Sequence, residues 1–153
     1  MRRIDTIVCH HSASTFGTAL MIDSWHRERG WDGIGYHFVI QNGHDTAPSV
    51  YDPALDGWIE LGRPTQKAGA HAVGNNAHSI GICLIGHGEF TERQFMSLVL
   101  LCRSLMAEYG VEAKRVVGHS ELDPRKPECP GFTMELLRAT LMGCREGMSI
   151  GED

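Results

Sequence analysis

Nine histidines stand among the 153 residues of this sequence, several beside apolar stretches where a purely structural design would place aliphatic side chains. Three positions matter most for chemistry: His10 or His11 ends the first apolar run, His119 follows the last short one, and Cys129 lies in the loop beyond it. Zinc favours imidazole and thiolate, and a catalytic zinc needs three protein ligands with a fourth position left for water. A set of two histidines and one cysteine meets that need. Taken singly, each residue also has an ordinary structural reading, as a hydrogen-bonded histidine or a buried small thiol. His26, His44, His78 and His87 have no partner legible in the sequence and read as surface residues.

Positioning such a set requires strands that deliver their last side chains to one edge. Thr6 to His10 is rich in Ile and Val, ends at the polar HSAS, and predicts a buried strand. Residues 18–29 hold Leu20, Met21, Ile22 and Trp25 among polar neighbours, a helix stopped by Gly30. Gly35 to Ile40 predicts a second strand, and Asn42-Gly43 after it is a hairpin signal. From His44 to Gly57 the periodicity is lost, which predicts a loop. Ser79 to Ile85 is the most apolar strand and belongs at the centre of a sheet. Thr91 to Tyr109 opens with Thr91 and Gln94 in capping-box spacing and stops at Gly110, which predicts a long helix. Val116-Val117 is a short strand leading to Gly118-His119, and residues 133–142 form a last helix before a frayed tail. Interleaved strands and helices, with no repeat or linker, predict one α/β domain over residues 1–153, a mixed central sheet flanked by helices.

Composition narrows the function classes. The net charge is −5 and no segment concentrates basic residues, so a nucleic-acid partner is not expected. Five scattered cysteines, mostly in apolar runs, do not read as a secreted disulfide framework and fit a reducing compartment. The amino terminus lacks the apolar length and cleavage site of a signal peptide, and no run is long enough to cross a bilayer. A cytoplasmic, monomeric protein without membrane insertion is expected; a substrate outside the cytoplasm would have to be reached by some other route.

Four ordered segments carry a family resemblance: IVCHHSAS (Ile7 to Ser14), SWHRERGWDGIGYHFVI (Ser24 to Ile40), GRPTQKAGAHAVGNNAHSIGICLIG (Gly62 to Gly86) and GHSELDPRKPECPGF (Gly118 to Phe132). Together they resemble the zinc-dependent N-acetylmuramoyl-L-alanine amidases, a family that includes amidase-type phage lysozymes, wall-recycling amidases and animal peptidoglycan recognition proteins. The resemblance implies zinc as cofactor, peptidoglycan as partner, and hydrolysis of the amide between N-acetylmuramic acid and L-alanine. For a phage-encoded chain it implies synthesis in the host cytoplasm and action on the wall after release. A related reading is a module that holds peptidoglycan without cutting it, as relatives do when a ligand is lost.

Carried onto this sequence, the resemblance makes His10, His119 and Cys129 the metal ligands; a cysteine at the third position is the phage-lysozyme pattern, where recycling members have aspartate. His11 falls at a variable position and reads as structural. Tyr36 matches the tyrosine that phage members place beside the metal site, while its neighbour His37 reads as structural. His71 and Asn76 match positions lining the substrate groove, with a structural role in holding their loop as the alternative. The residue expected to stabilise the oxyanion lies two positions before the third ligand, where this sequence has Pro127, which offers no side-chain donor. Lys126 is the nearest ammonium and takes that role in the expectation, with Arg125 as the alternative.

Overall fold

Side chains alternate across β1 (Thr6–His11), so Ile7 and Cys9 look to one face of the sheet while Val8 and His10 look to the other. That alternation determines which residues join the core and which reach the site. The structure, a computed structural model, describes residues 2–143. Besides β1 it contains α1 (Ala19–Glu28), β2 (Phe38–Asn42), β3 (Asp56–Leu61), β4 (Ser79–Leu84), α2 (Glu92–Tyr109), β5 (Val116–Gly118), α3 (His119–Leu122) and α4 (Met134–Gly143). The five strands form one sheet in the order β3-β2-β4-β1-β5. β1 runs parallel to both β4 and β5, β2 runs parallel to β4, and β3 closes the far edge antiparallel to β2. The expected mixed α/β sheet is therefore present. β4, apolar after its opening Ser79, is buried along its whole length between β2 and β1.

Ile7, Cys9, Ile40, Ile80, Ile82, Leu84 and Val116 meet Leu98, Cys102 and Leu105 of α2 and Leu137 and Leu141 of α4 in the larger core. Leu98 and Leu137 are fully enclosed, and burying such a side chain contributes roughly 1.5–3 kcal/mol. The capping box at α2 forms as read: the Thr91 hydroxyl accepts from the Gln94 backbone N–H, and the Gln94 side chain accepts from the Thr91 N–H. The Gln94 amide is also buried, and its Nε2 donates to the carbonyls of Ile40 in β2 and of Ile85 just after β4. On the opposite face α1 packs Ala19 and Ile22 against Val39, Cys83 and Ile85. Thr18 caps α1 by accepting from the Met21 N–H.

Four local readings are corrected. β2 begins at Phe38 rather than Gly35, although residues 35–37 still bond on both sides, with the His37 N–H donating to the Gly81 carbonyl. Asn42-Gly43 turns the chain but opens a long loop instead of a two-residue hairpin: the Asn42 side chain accepts from the His44 N–H and donates to the Thr15 carbonyl, tying the turn to the first loop. β3 went unread because it is a half-exposed edge strand with little apolar alternation. α3 has four residues, too few for periodicity to show. The segment read as a frayed tail, with Cys144, lies outside the described residues beyond Gly143.

Candidate active site

His10 is the penultimate residue of β1 and lies in register with Cys83 of β4; His119 follows immediately after β5, whose Gly118 neighbours Cys9. Both histidines therefore stand at the carboxyl ends of adjacent parallel strands, where open α/β sheets bind ligands. Cys129 comes from the loop after α3, and two features bring it in. Its carbonyl accepts from the Ser120 N–H at 2.8 Å, tying the loop to the start of α3. Gly118 leaves room for Pro130: a Cβ at Gly118 would sit 2.8 Å from the proline Cδ. One donor atom from each of His10, His119 and Cys129 lies within 4.8 Å of the others, and this is the one such cluster among the described residues. The His10 atom facing the Cys129 sulfur is Nδ1, at 3.8 Å.

Burial sets the electrostatics. His10 is almost wholly enclosed and its imidazolium form is strongly disfavoured, first by lost hydration and then by the neighbouring His71, His119 and His11. Burial also lowers His119, opposed by Asp123 and reinforced by the Lys126 charge. Both imidazoles are thus neutral, the form that donates a lone pair to a metal. Burial raises the half-buried Cys129 thiol, while the His11 backbone N–H and the Lys126 ammonium pull it down.

The cluster lies in a cleft of about 900 Å³. Its walls include Trp31 and Arg29 after α1, Tyr36, His71, Asn76, and the 125–129 loop. The Tyr36 ring centroid is 5.0 Å from that of His10. Desolvation and the nearby Cys83 and Cys129 sulfurs hold its phenol far above the usual range, so Tyr36 is a neutral hydrogen-bond donor. Lys126 lines the cleft and has no side-chain partner among the described residues, whereas the Arg125 guanidinium grips both Asp123 oxygens at 3.0 Å. That bidentate pair holds the Asp123 carboxyl down at about 2.

The remaining predicted residues fall as follows. Asn76 lines the cleft and spends its side-chain oxygen on the backbone N–H groups of His71 and Ala72, both at 2.9 Å, which shapes the loop and leaves its Nδ2 without a protein acceptor among the described residues. Both ring nitrogens of His71 are engaged within the protein, Nδ1 with His10 and Nε2 with Ser79. His37 is structural: Nδ1 accepts from the Gly81 N–H and Nε2 meets the Lys67 carbonyl. The ring of His11 sits 5.8 Å from that of His87, outside the donor cluster. Of the four histidines read as surface residues only His87 is exposed. His26 is buried, because its Nδ1 is needed to accept from the Gly35 N–H; His78 pairs with Asp5 and His44 meets the Val50 carbonyl. Ser79 carried no sequence signal, since a serine opening an apolar strand reads as a boundary.

Three convergent donors beside an open cleft, with a phenol and an ammonium alongside, form a group able to hold a metal ion at the strand ends of an α/β domain. Residues 1–132 match the family model of N-acetylmuramoyl-L-alanine amidases. The endolysin of Escherichia phage T7 is 35% identical over 122 residues, 74% of this chain and 70% of that one. The N-acetylmuramoyl-L-alanine amidase LysC from Clostridium intestinale superimposes with a TM-score of 0.77 at 36% identity, covering 92% of this chain and 87% of the other. Drosophila peptidoglycan-recognition protein LB superimposes with a TM-score of 0.70 at 25% identity, covering 92% and 82% of the two chains. The chain belongs to the N-acetylmuramoyl-L-alanine amidase family, and its activity is hydrolysis of the amide bond between the sugar and the peptide of peptidoglycan.

Proposed function

We propose that the chain is a zinc-dependent endolysin of phage type, hydrolysing the bond between N-acetylmuramic acid and L-alanine with His10, His119 and Cys129 as zinc ligands. The observation that carries the reading is the donor set itself: two neutral imidazoles and one thiol converge at the cleft, the chemistry zinc prefers. When bound, zinc supplies Lewis acidity to the scissile carbonyl and brings the pKa of water toward about 7. The other steps belong to side chains. Tyr36, neutral and half-buried, donates its phenolic proton to the water or to the developing oxyanion. Lys126 places a positive charge on the cleft wall near His119 and Cys129, replacing the donor that Pro127 cannot supply. Asn76 offers its free Nδ2 to a carbonyl of the glycopeptide. All three metal donors come from one chain, so a monomer suffices.

The third ligand as cysteine and the similarity to phage endolysins support a lytic role after release to the wall. No described helix is long and apolar enough to cross a membrane. The presence of all three donors favours catalysis over a binding module. Cys129→Ser and His119→Ala are expected to lose stoichiometric zinc and muropeptide cleavage together, with mass spectrometry of digested peptidoglycan identifying the bond cut. Full zinc content in both variants would overturn the ligand assignment.

A further inference from the structure

The buried polar groups behind His10 form a chain with a direction. The Asn75 carbonyl can only accept, and the Ser79 hydroxyl lies 2.7 Å from it. Two oxygens at that distance need a proton between them, so the single hydroxyl proton of Ser79 points to Asn75. Ser79 Oγ then has only lone pairs to offer the His71 Nε2 at 3.3 Å, and Nε2 must carry the proton of a neutral His71. Its Nδ1 is left bare, 2.9 Å from His10 Nε2. That contact needs one proton, which must sit on His10 Nε2. A neutral His10 therefore keeps its lone pair on Nδ1, the nitrogen facing Cys129 and the donor cluster.

We infer that Ser79 and His71 form a tautomer relay: the Asn75 carbonyl, Ser79 and His71 together force His10 to present Nδ1 rather than Nε2 as its unprotonated nitrogen. His71 is thus a positioning residue acting through His10, not a contact for substrate, and both of its ring nitrogens are used up in that task. The surroundings hold it there. A Cβ at Gly81 would lie 2.7 Å from the His71 Cγ and 2.8 Å from its Nδ1, so the ring occupies the space above a glycine in the central strand. Asn76 clamps its backbone, and the Arg2 guanidinium donates to the carbonyls of Thr65, Asn76, Ala77 and Ser79, securing the same loop. Orienting a ligand histidine through its second nitrogen is how metal sites fix tautomer and ring angle, and losing such a partner weakens metal affinity about 10–100-fold.

This assignment rests on the reading of His10 as a ligand, but its first test needs no metal. Long-range proton–nitrogen correlation spectra of the metal-free protein should show His10 and His71 both protonated at Nε2 and bare at Nδ1. Ser79→Ala removes the acceptor for His71 Nε2–H, so a mixture of tautomers should appear at both histidines and zinc affinity should fall about 10–100-fold. His71→Asn places an amide oxygen where Nδ1 stood and should restore the His10 tautomer and most of the affinity, whereas His71→Leu should not. An Nδ1–H signal for His10 in the unsubstituted protein would overturn the relay. Unchanged His10 tautomer and zinc affinity in Ser79→Ala would do the same. Should the spectra show the stated tautomers while zinc fails to bind, the relay stands and the zinc reading falls.

Discussion

Removing the Lys126 ammonium tests how this chain compensates for Pro127. Lys126 faces the cleft without a side-chain partner among the described residues, near enough for its charge to lower both His119 and Cys129. Arg125 is already committed, with two 3.0 Å bonds to Asp123. Losing one oxyanion donor costs about 2.7–4 kcal/mol in other hydrolases, 10²–10³ in turnover. Lys126 is exposed, so solvent screens its charge and the lower end applies. Lys126→Ala should therefore reduce kcat about 100-fold, with kcat/KM falling by the same factor because the interaction arises only in the transition state. Arg125→Ala releases Asp123 but removes nothing from the reaction, and kcat should change less than about 3-fold. The assay is initial-rate release of stem peptide from a soluble muropeptide, with zinc content measured in parallel. Full metal loading is expected in both variants. The reverse ranking would refute the reasoning, and normal turnover in both would show that Tyr36 and backbone donors suffice.

Tyr36→Phe should retain the fold and the metal while lowering turnover, since only the donor proton is lost; unchanged turnover would make the hydroxyl structural. A second expectation concerns acid stability of the metal-free protein. Burial holds both His26 and His37 at about 4, against 6.5 when unfolded, and each uses Nδ1 to accept a backbone N–H. Between pH 6.5 and about 4 the unfolded chain takes up protons that the folded chain refuses, so stability falls with acidification across that window and these groups contribute no slope above it. Urea midpoints that stay level or rise over the same range would contradict this.

Much of the molecule was legible from local pattern. Continuous apolar runs and alternation placed β1 and β4, and the Thr91/Gln94 spacing placed the start of α2, because these signals arise within one turn or one pleat of chain. Local motifs at two strand ends and in the loop after α3 also singled out His10, His119 and Cys129, which the fold brings together. What the sequence did not contain was the partner of each polar atom. His26 reads the same whether solvated or buried, and only the path of Gly35 across its ring makes burial favourable. Asn42-Gly43 favours a turn equally well in a tight hairpin or at the mouth of a long loop, and its bond to Thr15 decided for the latter. His71, placed by motif beside the substrate, is turned by Ser79 and by the bare backbone of Gly81 toward His10. A side chain's type limits which protons it can give or accept, and that much is written locally. Which of them it does give depends on acceptors brought near from distant parts of the chain, so the direction of the Asn75–Ser79–His71–His10 chain exists only in the folded protein.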